Sequence, residues 1–217
     1  MKMHIFEQRN SQRFSTLLLV FFFVGIVLLL GLPQSVHAET ITVTNTLDDD
    51  SVGSLRYAII TGTVSGDTIV FDVTGTIVLT QGTKIDIVSK TLTLEGPGAM
   101  TLAISGDGKT RIFDVASSGA LTLTNLTLRD GNAGTGYGGG LRSYGPLTVR
   151  DCIFRGNAAY MGAALYANGL TTLVEDTAFY TNTASFTGGG LYVGRGTATL
   201  TNVTFSGNDA TTSGSAL

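Results

Sequence analysis

Apolar and polar residues alternate with period two in four short stretches: Leu121-Thr-Leu-Thr-Asn125-Leu-Thr-Leu128, Leu147-Thr-Val-Arg-Asp151-Cys-Ile-Phe154, Thr172-Leu-Val-Glu-Asp176-Thr-Ala-Phe179 and Ala198-Thr-Leu-Thr-Asn202-Val-Thr-Phe205. Counted from the central Asn or Asp, positions −4 and −2 are mostly apolar (Leu121, Leu147; Leu123, Val149, Val174, Leu200). Positions +1 and +3 are mostly apolar as well (Leu126, Cys152, Val203; Leu128, Phe154, Phe179, Phe205). Alternation predicts strands, but the step from −2 to +1 is odd and would turn every later side chain to the wrong face of one straight strand. The chain is therefore expected to turn a corner at Asn125, Asp151, Asp176 and Asn202, because Asn and Asp tolerate left-handed backbone.

The stretches recur. Gly138-Gly139-Gly140-Leu141, Gly162-Ala163-Ala164-Leu165, Gly188-Gly189-Gly190-Leu191 and Gly214-Ser215-Ala216-Leu217 place their leucines 24, 26 and 26 residues apart. Phe154-Arg155-Gly156-Asn157, Phe179-Tyr180-Thr181-Asn182 and Phe205-Ser206-Gly207-Asn208 step by 25 and 26. A helical solenoid could share this period, but Thr-, Val- and Phe-rich segments that alternate and are broken by Gly are strand segments. The predicted fold class is all-β: a right-handed, single-stranded parallel β-helix with three strands and three turns per coil. The 179 residues after position 38 make about seven coils, a rod roughly 30–35 Å long at the parallel strand spacing. Phe154, Phe179 and Phe205 are expected to form an internal aromatic stack, and Asn157, Asn182 and Asn208 a ladder of amides between coils. Cys152 falls in an inward column and reads as a buried small residue rather than a reactive thiol.

Upstream, Ile41-Thr-Val-Thr-Asn45 alternates as a strand, and Ser54–Ile60 puts Leu55, Ala58 and Ile59 on one helical face. A short helix there would close the open end of the apolar core. Strand-like runs follow at Thr68–Phe71, Thr76–Leu79, Lys84–Val88, Thr91–Leu94, Thr101–Ile104 and Ile112–Val115. The organisation is thus an N-terminal cap over 39–66 and coils over 67–217, the last interrupted at Leu217.

Residues 1–38 read differently. Lys2, Arg9 and Arg13 precede an unbroken apolar run from Leu17 to Leu32, followed by Pro33 and by Val36-His37-Ala38. A positive start, an apolar middle and small residues at the end make a secretory signal, with cleavage expected after Ala38; an uncleaved membrane anchor is the alternative. Both histidines, His4 and His37, lie in this segment. Its removal leaves no histidine for a Ser-His-Asp mechanism or a His-ligated metal, and one cysteine, too few for an internal disulfide. Loss of Lys2, Arg9, Arg13 and Glu7 leaves 10 basic and 15 acidic residues, changing the formal charge from −3 to −5. No basic face for nucleic acid is expected. The composition, with 29 glycines and 33 threonines, matches turns and outward strand positions.

The Gly-Gly-x-Leu blocks and the Phe-x-x-Asn blocks resemble the paired repeats of polymorphic outer-membrane proteins, surface-exposed β-helical adhesins. Gly53-Ser-Leu-Arg-Tyr-Ala-Ile59, followed by Gly66-Asp-Thr-Ile-Val-Phe71, resembles the start of secreted bacterial β-helix proteins with a Cys-Ser-Leu-Arg-Glu-Ala motif, Gly53 and Tyr57 replacing its Cys and Glu. The resemblance implies a secreted or cell-surface protein, associated with the outer membrane, that recognises a host-cell, matrix or glycan surface; a membrane is met only through the signal segment or a further anchor.

Two functional readings follow. In the first, a structural and interaction module, Arg142, Tyr166 and Tyr192 each follow the Leu of a block and stack outward as a contact stripe for sugar or protein, or else merely stabilise the coils as cross-strand pairs. No cofactor is needed. In the second, a polysaccharide lyase or hydrolase of the pectate-lyase-like type, Asp151 and Asp176 share a corner column with Arg150 and Glu175 beside them, a cluster that would hold Ca²⁺ with an arginine as base. The structural account of that cluster is an Arg150–Glu175 pair across coils, with the aspartates serving the corner as Asn125 and Asn202 do. The first reading, binding rather than catalysis, is favoured. Asp48-Asp49-Asp50 lacks a spaced Ca²⁺-loop pattern and reads as a solvated turn. Asn125-Leu-Thr127 and Asn202-Val-Thr204 match the glycosylation tripeptide.

Overall fold

A computed structural model describes residues 37–216. Apart from His37 and Ala38, the signal segment expected over 1–38 lies outside the described residues. Seven strands, Thr40–Val43, Thr68–Phe71, Thr91–Glu95, Ala120–Thr124, Leu147–Arg150, Thr171–Glu175 and Thr197–Thr201, form one sheet. A six-stranded sheet holds Gly75–Val78, Leu102–Ser105, Thr127–Arg129, Ile153–Arg155, Ala178–Tyr180 and Thr204–Ser206. A five-stranded sheet holds Ile85–Ile87, Phe113–Val115, Leu141–Ser143, Leu165–Ala167 and Leu191–Val193. Every pairing is parallel, and the chain visits the sheets in turn, so the described residues wind a parallel β-solenoid of about seven coils. Successive passes pair Thr40 with Thr68, Thr68 with Thr93, Thr91 with Ala120, Leu121 with Leu147, Leu147 with Thr172 and Thr171 with Thr197. From first to last strand the seven-stranded sheet runs about 29 Å at the usual spacing.

The inner columns are those expected from alternation. Ile69, Leu94, Leu123, Val149, Val174 and Leu200 stack in register on the seven-stranded sheet. Ile77, Ile104, Leu128, Phe154, Phe179 and Phe205 do so on the six-stranded one. The three phenylalanine rings lie nearly parallel, with centroids 5.0 and 4.9 Å apart. In the last four passes between these sheets the chain turns on two residues, and the first of each pair is left-handed: Asn125, Asp151, Asp176 and Asn202 have φ of 57°, 51°, 47° and 52°. That backbone lets two inward columns, −2 and +1, lie an odd number of residues apart.

The asparagine ladder forms one hydrogen-bonded chain. Asn157 Nδ2 donates to Asn182 Oδ1 (2.9 Å) and Asn182 Nδ2 to Asn208 Oδ1 (2.8 Å). The same amides donate to the carbonyls of Leu128, Phe154 and Phe179. Their oxygens accept the backbone N–H groups of Gly131, Asn157 and Asn182. Each rung thus satisfies backbone groups at the second corner, where the sheet ladder stops.

Coils differ from the expected three strands in one respect. A fourth strand, at Ala158–Met161, Thr183–Thr187 and Asp209–Ala210, follows the ladder in the last three coils. Its inward residues are Ala159 and Ala184, packed with Ala163, so large apolar residues do not mark the alternation there.

At the start, Leu55–Tyr57 is a helical turn that widens into a π-turn over Ala58–Gly62. Ser54 Oγ accepts the Tyr57 N–H (3.1 Å) as its N-cap, and Leu55, Ala58 and Ile59 enter the core. Gly53 has φ +93°, and a Cβ there would meet Thr44 Oγ1 at 2.3 Å, which accounts for glycine at the head of Gly53-Ser-Leu-Arg56. Arg56 is buried: Nε donates to Asp48 Oδ1 (2.7 Å), Nη2 to the Thr83 carbonyl (2.7 Å) and Nη1 to that of Lys84 (3.2 Å). Asp48 also accepts the Gln81 N–H (2.8 Å). The solvated turn expected at Asp48-Asp49-Asp50 is corrected by this finding, for Asp48 is a buried counter-ion whose charge the Arg56 guanidinium compensates. Among the described residues no helix is long and apolar enough to cross a membrane.

Candidate functional site

The outward column of the five-stranded sheet begins with the middle residue of each short strand. Ile85, Phe113, Leu141, Leu165 and Leu191 point inward and are fully buried, so the next residues, Asp86, Asp114, Arg142, Tyr166 and Tyr192, fall outward in one register. The glycines before each leucine have separate duties. Gly138, Gly162 and Gly188 are left-handed (φ 64°, 58° and 69°), and a Cβ on Gly139 would lie 2.3 Å from the Ala158 carbonyl oxygen.

Arg142, Tyr166 and Tyr192 are therefore neighbours, as the repeat predicts, but their surroundings differ. Tyr166 is only 8% exposed, sandwiched between Tyr137 (centroids 4.7 Å apart, 14° between planes) and Tyr192 (5.3 Å, 7°). Burial raises the pKa of its hydroxyl. A second ladder, Tyr160 on Phe186 (5.0 Å, 3°), joins the first through Tyr137 and Tyr160 at 6.3 Å. Tyr144 meets Tyr166 edge-on. Six rings thus form one aromatic patch, with Phe186 exposed at its margin.

At the other end of the column the charges converge on Asp114, itself buried. Arg142 Nε and Nη2 grip its two oxygens (2.8 and 2.5 Å), Arg111 Nη1 lies at 3.1 Å and Lys84 Nζ at 2.9 Å. Burial pushes the Asp114 carboxyl up, but the hydrogen bonds from Arg142 and Lys84 and the charge of Arg111 outweigh it, and the pKa lies below the ordinary carboxylate range. The hydrogen bond to Asp114 raises the pKa of Arg142. The Arg142 guanidinium also sits 5.1 Å over the Tyr144 ring. A groove of about 460 Å³ lies here, lined by Lys84, Asp86, Asp114, Arg142 and Tyr144. Asp114, Arg111, Tyr137, Tyr144, Tyr160 and Phe186 were not marked by the sequence pattern; extending the Leu141 column one coil back to Phe113 would have put Asp114 opposite Arg142.

The acidic corner is built from structural contacts. Arg150 Nε pairs with Glu175 across coils, and Asn202 Nδ2 donates to Asp176 Oδ1 (2.5 Å). Asp151 and Asp176 hold the left-handed corner backbone. Among the described residues no three His, Cys, Asp or Glu side chains converge as a metal site would require. Cys152 is buried, its thiol pushed up to about 12 by burial.

Searches of protein-family models, curated proteins and solved structures found no match to this chain.

Proposed function

We propose that the chain is a secreted or cell-surface β-solenoid recognition module, akin to the polymorphic outer-membrane adhesins, whose aromatic patch contacts a glycan or protein surface of a host cell or matrix. The observation that carries this reading is the six-ring patch of Tyr137, Tyr144, Tyr160, Tyr166, Phe186 and Tyr192 on the outside of the rod. Stacking of Tyr137, Tyr166 and Tyr192 supports the coils as well, but the exposed margin at Phe186 is not required for that. Aromatic faces next to a fixed cation suit apolar sugar faces and protein anchors alike. Export is supported by the position of the first strand: Thr40 enters the seven-stranded sheet two residues after Ala38. The lyase reading gains no such observation: Glu175 is paired with Arg150, and Asp176 accepts from Asn202.

The test is binding of the full chain to a glycan array and to cultured epithelial cells, compared with a Tyr144→Ala/Phe186→Ala/Tyr192→Ala variant. Tyr166 is left in place because it is buried. Loss of binding with an unchanged circular dichroism spectrum is expected; binding that survives all three changes refutes the aromatic patch as the contact surface.

A further inference from the structure

A second groove, of about 470 Å³, crosses the outer face of the six-stranded sheet. Its floor takes residues from five successive strands, from Thr76 through Ala103, Arg129 and Arg155 to Tyr180, a path about 19 Å long at the parallel strand spacing. One wall has a specific origin. The corner between the seven- and six-stranded sheets takes two residues at Asn125-Leu126, Asp151-Cys152, Asp176-Thr177 and Asn202-Val203, but six residues, 96–101, separate Glu95 from Leu102. This longer corner raises Met100, 90% exposed, beside the floor. It is fastened there by Thr127 Oγ1, which donates to the Ala99 carbonyl (2.6 Å), and by Gly98, whose N–H reaches the Asn125 carbonyl.

The floor carries an arrangement that coil stacking does not favour. Arg129 and Arg155 are directly opposite in adjacent coils, with Tyr180 next in the same column. Like charges paired across strands destabilise a sheet. Arg129 is compensated by Asp130 (2.5 Å); Arg155 makes no ion pair among the described residues and is exposed. We infer that this groove is a binding site for an acidic oligosaccharide lying along the rod axis, with Arg155 and Arg129 meeting its carboxylate or sulfate groups and Tyr180 packing against a sugar face.

Three considerations select that ligand class. The groove is a sheet face, where backbone N–H and C=O groups are already paired between coils, so an extended peptide could not add as a strand. Recognition must come from side chains: guanidinium groups for fixed anions and one ring for stacking. A nucleic acid needs an extended basic footprint, and this groove offers two arginines. The site is separate from the aromatic patch on the five-stranded sheet and does not rest on it.

Calorimetric titration of the full chain tests the inference, with hexagalacturonate and a heparin hexasaccharide as carboxylate and sulfate probes. Maltohexaose, polyglutamate and oligo-dT serve as neutral-sugar, acidic-peptide and nucleic-acid probes. Binding of at least one acidic sugar is expected, weakened at least about tenfold by Arg155→Ala and by added salt, and partly kept in Arg155→Lys. Arg155 is exposed and faces a like charge, so its variants should melt no lower than the native chain. No binding of either acidic hexasaccharide, equal binding by Arg155→Ala, or equal affinity for maltohexaose, polyglutamate or oligo-dT would overturn it.

Discussion

Replacing Asn182 by alanine isolates what the ladder contributes. The side chain is fully buried and makes four hydrogen bonds: it donates to the Phe154 carbonyl (3.1 Å) and Asn208 Oδ1 (2.8 Å), and accepts from the Asn157 N–H (3.0 Å) and Asn157 Nδ2 (2.9 Å). A net value of about 1 kcal/mol per bond gives a loss of about 4 kcal/mol, and the buried partners left unsatisfied push the figure upward rather than down. For a folded unit of this size that corresponds to a fall in melting temperature of roughly 8–16 °C. Asn208→Ala is the internal control, because Asn208 is only half-buried and makes three such bonds; its loss should be smaller. Urea denaturation followed by circular dichroism measures both, and hydrogen exchange at the Asn157 N–H reads the local effect. A loss below about 1 kcal/mol for Asn182→Ala, or equal losses at the two positions, would refute the ladder as a stabilising chain.

Four further outcomes follow from the same geometry. Phe179→Ala, in the centre of the phenylalanine stack, should cost about 3–5 kcal/mol in urea denaturation. Thr181 occupies a left-handed column whose other members are Asp130, Gly156 and Gly207; a β-branched residue there is strained, so Thr181→Gly should raise stability by about 0.5–1 kcal/mol, and a fall would contradict the strain. Asp114, with its lowered pKa, contributes stability fully present above about pH 4 and lost as pH falls through its depressed folded value; Asp114→Asn should be less stable near neutrality and should flatten that part of the stability-against-pH curve. Cys152, its thiol pushed up to about 12 by burial, should resist iodoacetamide in the native chain at neutral pH and react on unfolding; rapid native labelling would contradict the packing.

Much of the architecture was legible because it repeats. The odd step between inward positions around Asn125 or Asp151 required a corner, and left-handed backbone at all four positions supplies it. Phe154, Phe179 and Phe205 stack, and Asn157, Asn182 and Asn208 link, because equivalent positions one coil apart are brought face to face by the parallel register. What escaped has physical causes too. The fourth strand is lined by alanines such as Ala159 and Ala184, too small to stand out as an apolar alternation. Asp48 looked solvated beside two other aspartates, since its partner Arg56 comes from a helix that only the folded cap brings over it. The charge cluster on Asp114 draws Lys84, Arg111 and Arg142 from three successive coils, two of them in the irregular early part of the chain where coil length varies. The wall of the second groove arises from one corner longer than its neighbours, a departure from the repeat that gains meaning only once the coils are stacked.

One column on the six-stranded sheet changes character midway. Ile77, Ile104 and Leu128 are aliphatic; Phe154, Phe179 and Phe205 are aromatic, and the amides of Asn157, Asn182 and Asn208 begin in the same coil as Phe154. Nearest-neighbour coupling along a solenoid is what makes its coils melt together. From Phe154 onward this column is joined by rings and a continuous amide relay, and the relay reaches back across the change, with Asn157 Nδ2 donating to the Leu128 carbonyl and Asn157 Oδ1 accepting the Gly131 N–H. Asn157 thus couples the aliphatic coils to the aromatic ones, so its loss, rather than that of Asn208 at the far end of the relay, should divide the cooperative opening of the solenoid.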